Sequence, residues 1–501
     1  MSPTTVIIAI AAYIAILFAV ALVSGRNTDN AGYFTGNRRS SWWVAAIAMV
    51  SAAMSGVTFI SIPGSVAVSN FSYLQMVLGF IAGYLVIAFV LVPLFYRLKV
   101  VSLYEYLAER FGGSSHLAGA SFFLLSRTLL SALRAYVACT VLQMLVFEPL
   151  GVPFAVNAAI FMLLVWLYSH RGGVKTIIWT DLLRTVILVS TLVLCIVLIM
   201  RSEALSLSGV VSEIAAHSYS KIWFTEDWND ARHLLKQLLA GLFMVVAMTG
   251  LDQDMMQRTL SCRSRGDAQK NLIVAVLLQS VVIVLFLALG VLLYTYLERM
   301  GIRAHEGSPF PMYAADGALV IEKADHVFPF VATHGGLPVA VGVLFVLGLI
   351  ASTFSAAGSA LTALTTSFTI DIMRGSKHLD EERLARRRKR VNVGVMAVMA
   401  ALIIIFDALS NRSIIDTFYS VASYTYGPIL GMFAFGIISK RQVRDRLVPV
   451  VAVAAPLLSW LLDRNSEVLF GGYQFGFEIL VINALLTMAG LALMSRRNRD
   501  K

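Results

Sequence analysis

The 501-residue sequence is 58% hydrophobic and 14% charged, with a formal net charge of +11. Soluble domains carry about a quarter charged residues, so this composition excludes a soluble protein. The basic residues are scattered through short loops between apolar stretches, which excludes a nucleic-acid-binding face.

Stretches long enough to cross a bilayer, about 20 apolar residues each, recur along the whole chain. In order they are 6–24, 43–68, 72–96, 117–147, 153–169, 176–200, 233–257, 271–297, 331–370, 391–408, 413–438, 447–462 and 473–494. This pattern predicts an all-α polytopic membrane protein of about thirteen transmembrane helices. The first stretch reads as a retained helix, because Met1 to Thr5 lacks the Lys or Arg of a signal peptide. No polar stretch is long enough for an appended soluble domain. Cys139, Cys195 and Cys262 are too few and too scattered for a disulfide framework or a metal centre.

Lys and Arg in the connecting loops set the orientation. Counted over alternate loops they divide 28 to 9, with Arg127, Arg134 and Arg184 inside spans. The split predicts an inner-membrane protein with its N-terminus outside and its C-terminus in the cytoplasm. The basic run from Arg383 to Arg390 then reads as a cytoplasmic stop signal lying against anionic headgroups.

Two spans look interrupted. The first, 43–68, carries Ser51-Ala52-Ala53-Met54-Ser55-Gly56 and then Pro63-Gly64. The second, 233–257, carries Gly241 and Thr249-Gly250-Leu251-Asp252. Counted from 43–68 as the first core helix, 233–257 is the sixth. Irregular backbone survives at membrane depth where it lines a cavity, and its freed carbonyls can coordinate a cation. Gly and Ser also simply let helices pack closely. In 331–370, Ser352, Ser355, Ser359 and Thr362 share one helix face, as interhelical glue or as an ion-ligand set. Charges within spans are expensive and usually functional. Here Arg127 and Arg134 share a face, Asp181 and Arg184 can pair locally, and Asp252 and Asp254 are expected at the interface.

Four segments carry a family resemblance. They are Ser102-Leu-Tyr-Glu-Tyr-Leu-Ala-Glu-Arg-Phe-Gly112, Arg171-Gly-Gly-Val-Lys-Thr-Ile-Ile-Trp-Thr-Asp181, Gly250-Leu-Asp-Gln-Asp-Met-Met-Gln-Arg258, and Ser355 to Asp371. In order and spacing they resemble the sodium:solute symporter family over roughly residues 1–440. The resemblance implies a five-plus-five inverted repeat of the LeuT type with broken first and sixth core helices. The expected organisation is a leading helix and loop over 1–41 and a first repeat over 42–200. An extracellular loop over 201–232, a second repeat over 233–440, and two trailing helices with a basic tail over 441–501 follow.

By function, the resemblance implies a secondary transporter that takes up a small organic solute by alternating access, driven by sodium. It implies a sodium site made by carbonyls of Ser51, Met54 and Ser352 and by hydroxyls of Ser355 and residue 356, with Asp181 and Ser359 as a candidate second ion site. The sequence departs from the family at Ala356, where Ser is usual, at Gly358, and at Arg184, where Gln is common. Sodium prefers five or six oxygens, and a fixed cation can substitute for a bound one. The alternative is therefore a sodium-independent or proton-coupled transporter or exchanger of the same fold, with Arg184 partly replacing an ion near Asp181. Ser55, Thr58, Gln75, Arg134 and Tyr424 are the expected solute ligands for an acidic sugar, another carboxylate or a sugar. If Arg134 faces the cavity it favours the acids over a neutral sugar, and if it snorkels or pairs with a backbone carbonyl that preference vanishes. Paired catalytic groups at one depth and an appended signalling domain are both missing from the sequence, so neither an enzyme nor a sensor is expected. Nor is an obligate protein partner or nucleic acid.

Overall fold

The computed structural model describes residues 3–24, 40–98, 103–169, 174–203, 206–305, 308–373, 381–409 and 414–496. The principal helices are α1 (Pro3–Ser24), α2 (Trp42–Ala53), α3 (Gly56–Ser69), α4 (Tyr73–Val86), α5 (Gly113–Leu142), α6 (Phe154–Ser169) and α7 (Val174–Ser202). They continue as α8 (Leu234–Val245), α9 (Gln253–Leu260), α10 (Arg265–Arg299), α11 (Val339–Ser367), α12 (Glu381–Leu409), α13 (Ile414–Ile438), α14 (Val448–Arg464) and α15 (Ile479–Leu493). Among the described residues, eight helices are long and apolar enough to cross a membrane, or nine with the bent pair formed by α8 and α9. Shorter apolar helices, including α2, most of α1 and α6, and α15, make the set consistent with thirteen spans.

Three boundaries differ from the hydropathy reading. The stretch 331–370 is two helices, Val327–His334 and α11, because Gly335, Gly336 (φ 74°) and Pro338 stop the first of them. The segment 201–232 contains a helix, Leu207–Ala216. The polar stretch after α10 forms a small antiparallel sheet of Arg303–Ala304, Met312–Tyr313 and Leu319–Ile321.

The core is held by close helix crossings. A Cβ on Gly241 of α8 would lie 2.1 Å from the Met76 carbonyl oxygen, and one on Gly79 of α4 would lie 2.3 Å from that of Leu238. Small residues let backbones approach this closely without a hydrophobic driving force between the helices. Gly241→Ala is expected to lower stability by about 1–3 kcal/mol through overpacking, read as a lower melting temperature in detergent. An unchanged melting temperature would show that α4 and α8 separate freely.

In α13, Pro428 has no N–H to bond the Tyr424 carbonyl one turn earlier. Asn483 of α15 supplies the donor, with Nδ2 at 2.9 Å from Tyr424 O and 3.1 Å from Ser423 O. The start of α5 is satisfied from a distance as well. The Asp445 carboxylate accepts from the Ser114 and Ser115 N–H groups, both at 2.8 Å, at the end of the helix where negative charge is favoured.

Candidate transport site

The break in the first core helix falls at Met54 and Ser55, both in extended conformations between α2 and α3. Its backbone lies hard against α11. A Cβ on Gly56 would sit 2.5 Å from Thr353 Oγ1, so only glycine permits the approach. The Ser55 N–H, left over at the start of α3, donates to Thr58 Oγ1 at 3.3 Å.

The second break follows α8. The helix widens into a π-turn over Val246–Gly250, passes Leu251 and Asp252, and resumes as α9 after a 71° bend. Asp252 Oδ1 caps α9 by accepting from Met255 N at 3.1 Å. Tyr104 donates to the Leu251 carbonyl at 3.1 Å, and Gln253 Oε1 accepts from Leu103 N at 2.9 Å. The Tyr-Glu-Tyr segment after α4 therefore buttresses this break.

Between the breaks lies a cavity of about 70 Å³, lined among others by Met54, Thr58, Tyr73, Arg134, Phe418 and Tyr419. Tyr73 and Tyr419 share a 2.6 Å hydrogen bond. Arg134 is buried, with its guanidinium carbon 5.0 Å from the centre of the Phe418 ring. Its Nε has no hydrogen-bond partner among the described residues, and no carboxylate there lies within ion-pairing distance of it. A guanidinium held on an aromatic face beside a cavity is a ready receptor for a carboxylate.

Beside the cavity, three arginines and three aspartates form one buried chain. Arg127 on α5 bonds Asp254 at 2.5 Å and Asp252 at 3.4 Å. Arg258 bonds Asp254 at 2.9 Å and Asp181 at 3.3 Å. Arg184 lies 3.6 Å from Asp181. Ser359 Oγ donates to Asp254 at 2.8 Å and accepts from Arg258 at 3.0 Å, and Tyr426 donates to Asp252 at 2.8 Å. The group has no net charge and ties α5, α7, α9, α11 and α13 to the second break. Tyr426→Phe removes one donor to a charged acceptor. It is expected to lower stability by about 1.5–3 kcal/mol, measured by unfolding in detergent, and no loss would mean that Arg127 and the Met255 N–H satisfy Asp252 without it.

The structure brings Met54, Thr58 and Arg134 together at the cavity, with Ser55 beside them in the break. Ser51 is buried one turn earlier in α2. The carbonyls of Met54 and Ser352 converge on Arg184, whose Nη2 and Nη1 donate to them at 3.5 and 3.3 Å. Asp181 and Ser359, expected as a second ion site, are engaged by arginines of the buried chain. The Ser355 side chain lies outside the described residues.

Two expected solute ligands are corrected. Gln75 donates to Arg232 O at 2.7 Å and accepts from Phe224 N at 3.2 Å, bracing the loop before α8. Tyr424 donates to Asp463 at 2.5 Å on α14. In each case the residue two positions away, Tyr73 or Tyr426, faces inward, since helix positions two apart point to opposite sides. Asp252 and Asp254, expected at the interface, are buried in the ion chain. Arg258 and the Tyr73–Tyr419 pair join the site without having been expected there. The spacing of Asp254 and Arg258, four apart on one helix, was the available signal for the former.

A membrane bundle with two broken helices around a small cavity defines a solute transporter of the inverted-repeat class. The model of the sodium:solute symporter family matches residues 33–445, and the chain belongs to that family. It is 27% identical over 496 residues to the sodium/sialic acid symporter NanT of Aliivibrio fischeri, covering 96% of this chain and 92% of that protein. It is 26% identical over 448 residues to human sodium-coupled monocarboxylate transporter 1, covering 86% and 67%. A solved structure of a Na+-coupled sialic acid symporter in a substrate-bound outward-open state superposes with a TM-score of 0.80 at 20% identity. It covers 98% of this chain and 99% of that one. The nucleobase-cation-symport-1 family transporter Mhp1 superposes with 0.53 at 12% identity, covering 93% and 95%. These structures carry the fold, which is the LeuT-type inverted repeat.

Proposed function

We propose that this protein is an alternating-access transporter that takes up a small organic carboxylate, an acidic sugar or a monocarboxylate, across the bacterial inner membrane. The observation that carries this reading is Arg134, a buried cation at the cavity without a carboxylate partner among the described residues. Burying a lone charge is costly unless a ligand pairs with it. Relatives named for sialic acid and for monocarboxylates both handle acids, which agrees with such a receptor. Sodium is the coupling ion of the class, and the positive-inside split of the loops puts the N-terminus outside.

The reading is tested by thermal-shift screening of the purified protein against sialic acids, short monocarboxylates and neutral sugars. The acids are expected to raise the melting temperature and the neutral sugars to leave it unchanged. Stabilisation by neutral sugars alone would overturn the carboxylate assignment.

A further inference from the structure

The ends of a broken helix are charged in a way the chain itself must answer. Met54 sits at the C-terminal end of α2, where unpaired carbonyls give a partial negative charge. The same point faces the Ser352 carbonyl of α11. Oxygens from these two places are the heart of the sodium site that the family resemblance implies. In this protein a cation already stands between them. Arg184 is buried on α7, and one guanidinium donates to both carbonyls, at 3.5 Å from Met54 O and 3.3 Å from Ser352 O.

We infer that Arg184 is a tethered cation that takes the place of sodium at the junction of α2, α3 and α11. The inference rests on the transporter reading above and narrows where sodium acts in it.

Three further observations support it. Position 356, one turn beyond Ser352, is alanine, so it has no hydroxyl to offer an ion. Arg184, Asp181, Arg258, Asp254, Arg127 and Asp252 balance three positive against three negative charges. A sodium ion at the junction would be a fourth cation added to this balanced group, with no further carboxylate in it to meet the ion. Two unit charges about 4 Å apart, at an effective dielectric near 20, repel enough to weaken sodium binding about a thousandfold. The donors are sound, but the position is taken. Arg184 also reaches Asp181 at 3.6 Å, so the cation at the junction is wired into the same buried chain that braces the second break. A diffusible ion would need to enter and leave on each cycle; a tethered one holds the junction together throughout.

The test counts sodium ions bound per chain, using radiolabelled sodium and purified full-length protein with choline chloride holding the ionic strength. Arg184→Gln combined with Ala356→Ser empties the junction of its cation and restores a hydroxyl. This double variant is expected to bind one more sodium ion than the wild type. Arg184→Lys keeps a tethered cation and is expected to match the wild type. Equal counts for the wild type and a folded double variant overturn the inference, as does an extra ion bound by Arg184→Lys. Because only the ion is counted, the result is independent of the solute. A solute screen without a hit would fail the carboxylate reading and leave this one standing.

Discussion

Replacing Arg134 with glutamine is expected to weaken binding of the carboxylate solute at least a hundredfold while leaving the protein as stable as before, or more so. Each hydrogen bond to a charged group contributes about 1.5–3 kcal/mol. A carboxylate gripped by both arms of a guanidinium makes two of them. Losing both corresponds to about 3–6 kcal/mol, or roughly two to four decades in affinity. The stability half of the prediction is the more telling one. An arginine in an ion pair leaves a buried partner stranded when it is removed, whereas Arg134 touches the Phe418 ring and has no carboxylate among the described residues to strand. Arg134→Lys keeps the charge without the planar fork and is expected to recover part of the affinity. Direct binding by calorimetry, with the melting temperature measured alongside, checks both halves. Unchanged affinity in Arg134→Gln would move the receptor elsewhere.

Asp254 gives the opposite pattern. Its carboxylate meets Arg127, Arg258 and Ser359 at 2.5, 2.9 and 2.8 Å. Asp254→Ala leaves two buried guanidinium groups short of their counter-charge and is expected to lower stability by about 3–5 kcal/mol. Pairing it with Arg127→Met removes one of the stranded cations, so the double variant is expected to be more stable than Asp254→Ala alone. Unfolding in detergent micelles measures both. A double variant that is worse by the sum of the two single losses would show that the arginines act independently.

Much of this architecture is legible in the sequence because hydropathy and helix-breaking residues act locally. The interruption at Met54-Ser55-Gly56 announces itself by composition, and so does the bend after Gly250. Arg127 and Arg134 stand out for a similar reason, as charges in an apolar stretch have few bland explanations. The failures share one cause. Tyr424 and Gln75 were assigned to the site by their position along the chain, but a helix turns about 100° per residue, so an error of two residues selects the opposite face. The pairing of Asp252 and Asp254 with Arg127 is not legible, because the partners lie on helices far apart in the chain. The 71° bend folds α9 back against α5 and α11. Arg184 was singled out as a departure from the family, and the structure places it on the Met54 and Ser352 carbonyls as well as beside Asp181. Only the fold could bring carbonyls 298 residues apart to one guanidinium.

The neutrality of the buried ion chain has an electrical consequence. Around the site, Arg134 is the charge left over, so the empty carrier holds one net positive charge there and the carrier loaded with a monocarboxylate holds none. Arginines stay with the protein and only the solute departs. Bringing one such anion inward alone moves negative charge against an inside-negative membrane, at about 2.3 kcal/mol per 100 mV. Exchanging one anion for another moves no net charge and ignores the voltage. The current that accompanies transport therefore counts the mobile cations that travel with the solute less the one negative charge of the monocarboxylate, a number to which no side chain contributes.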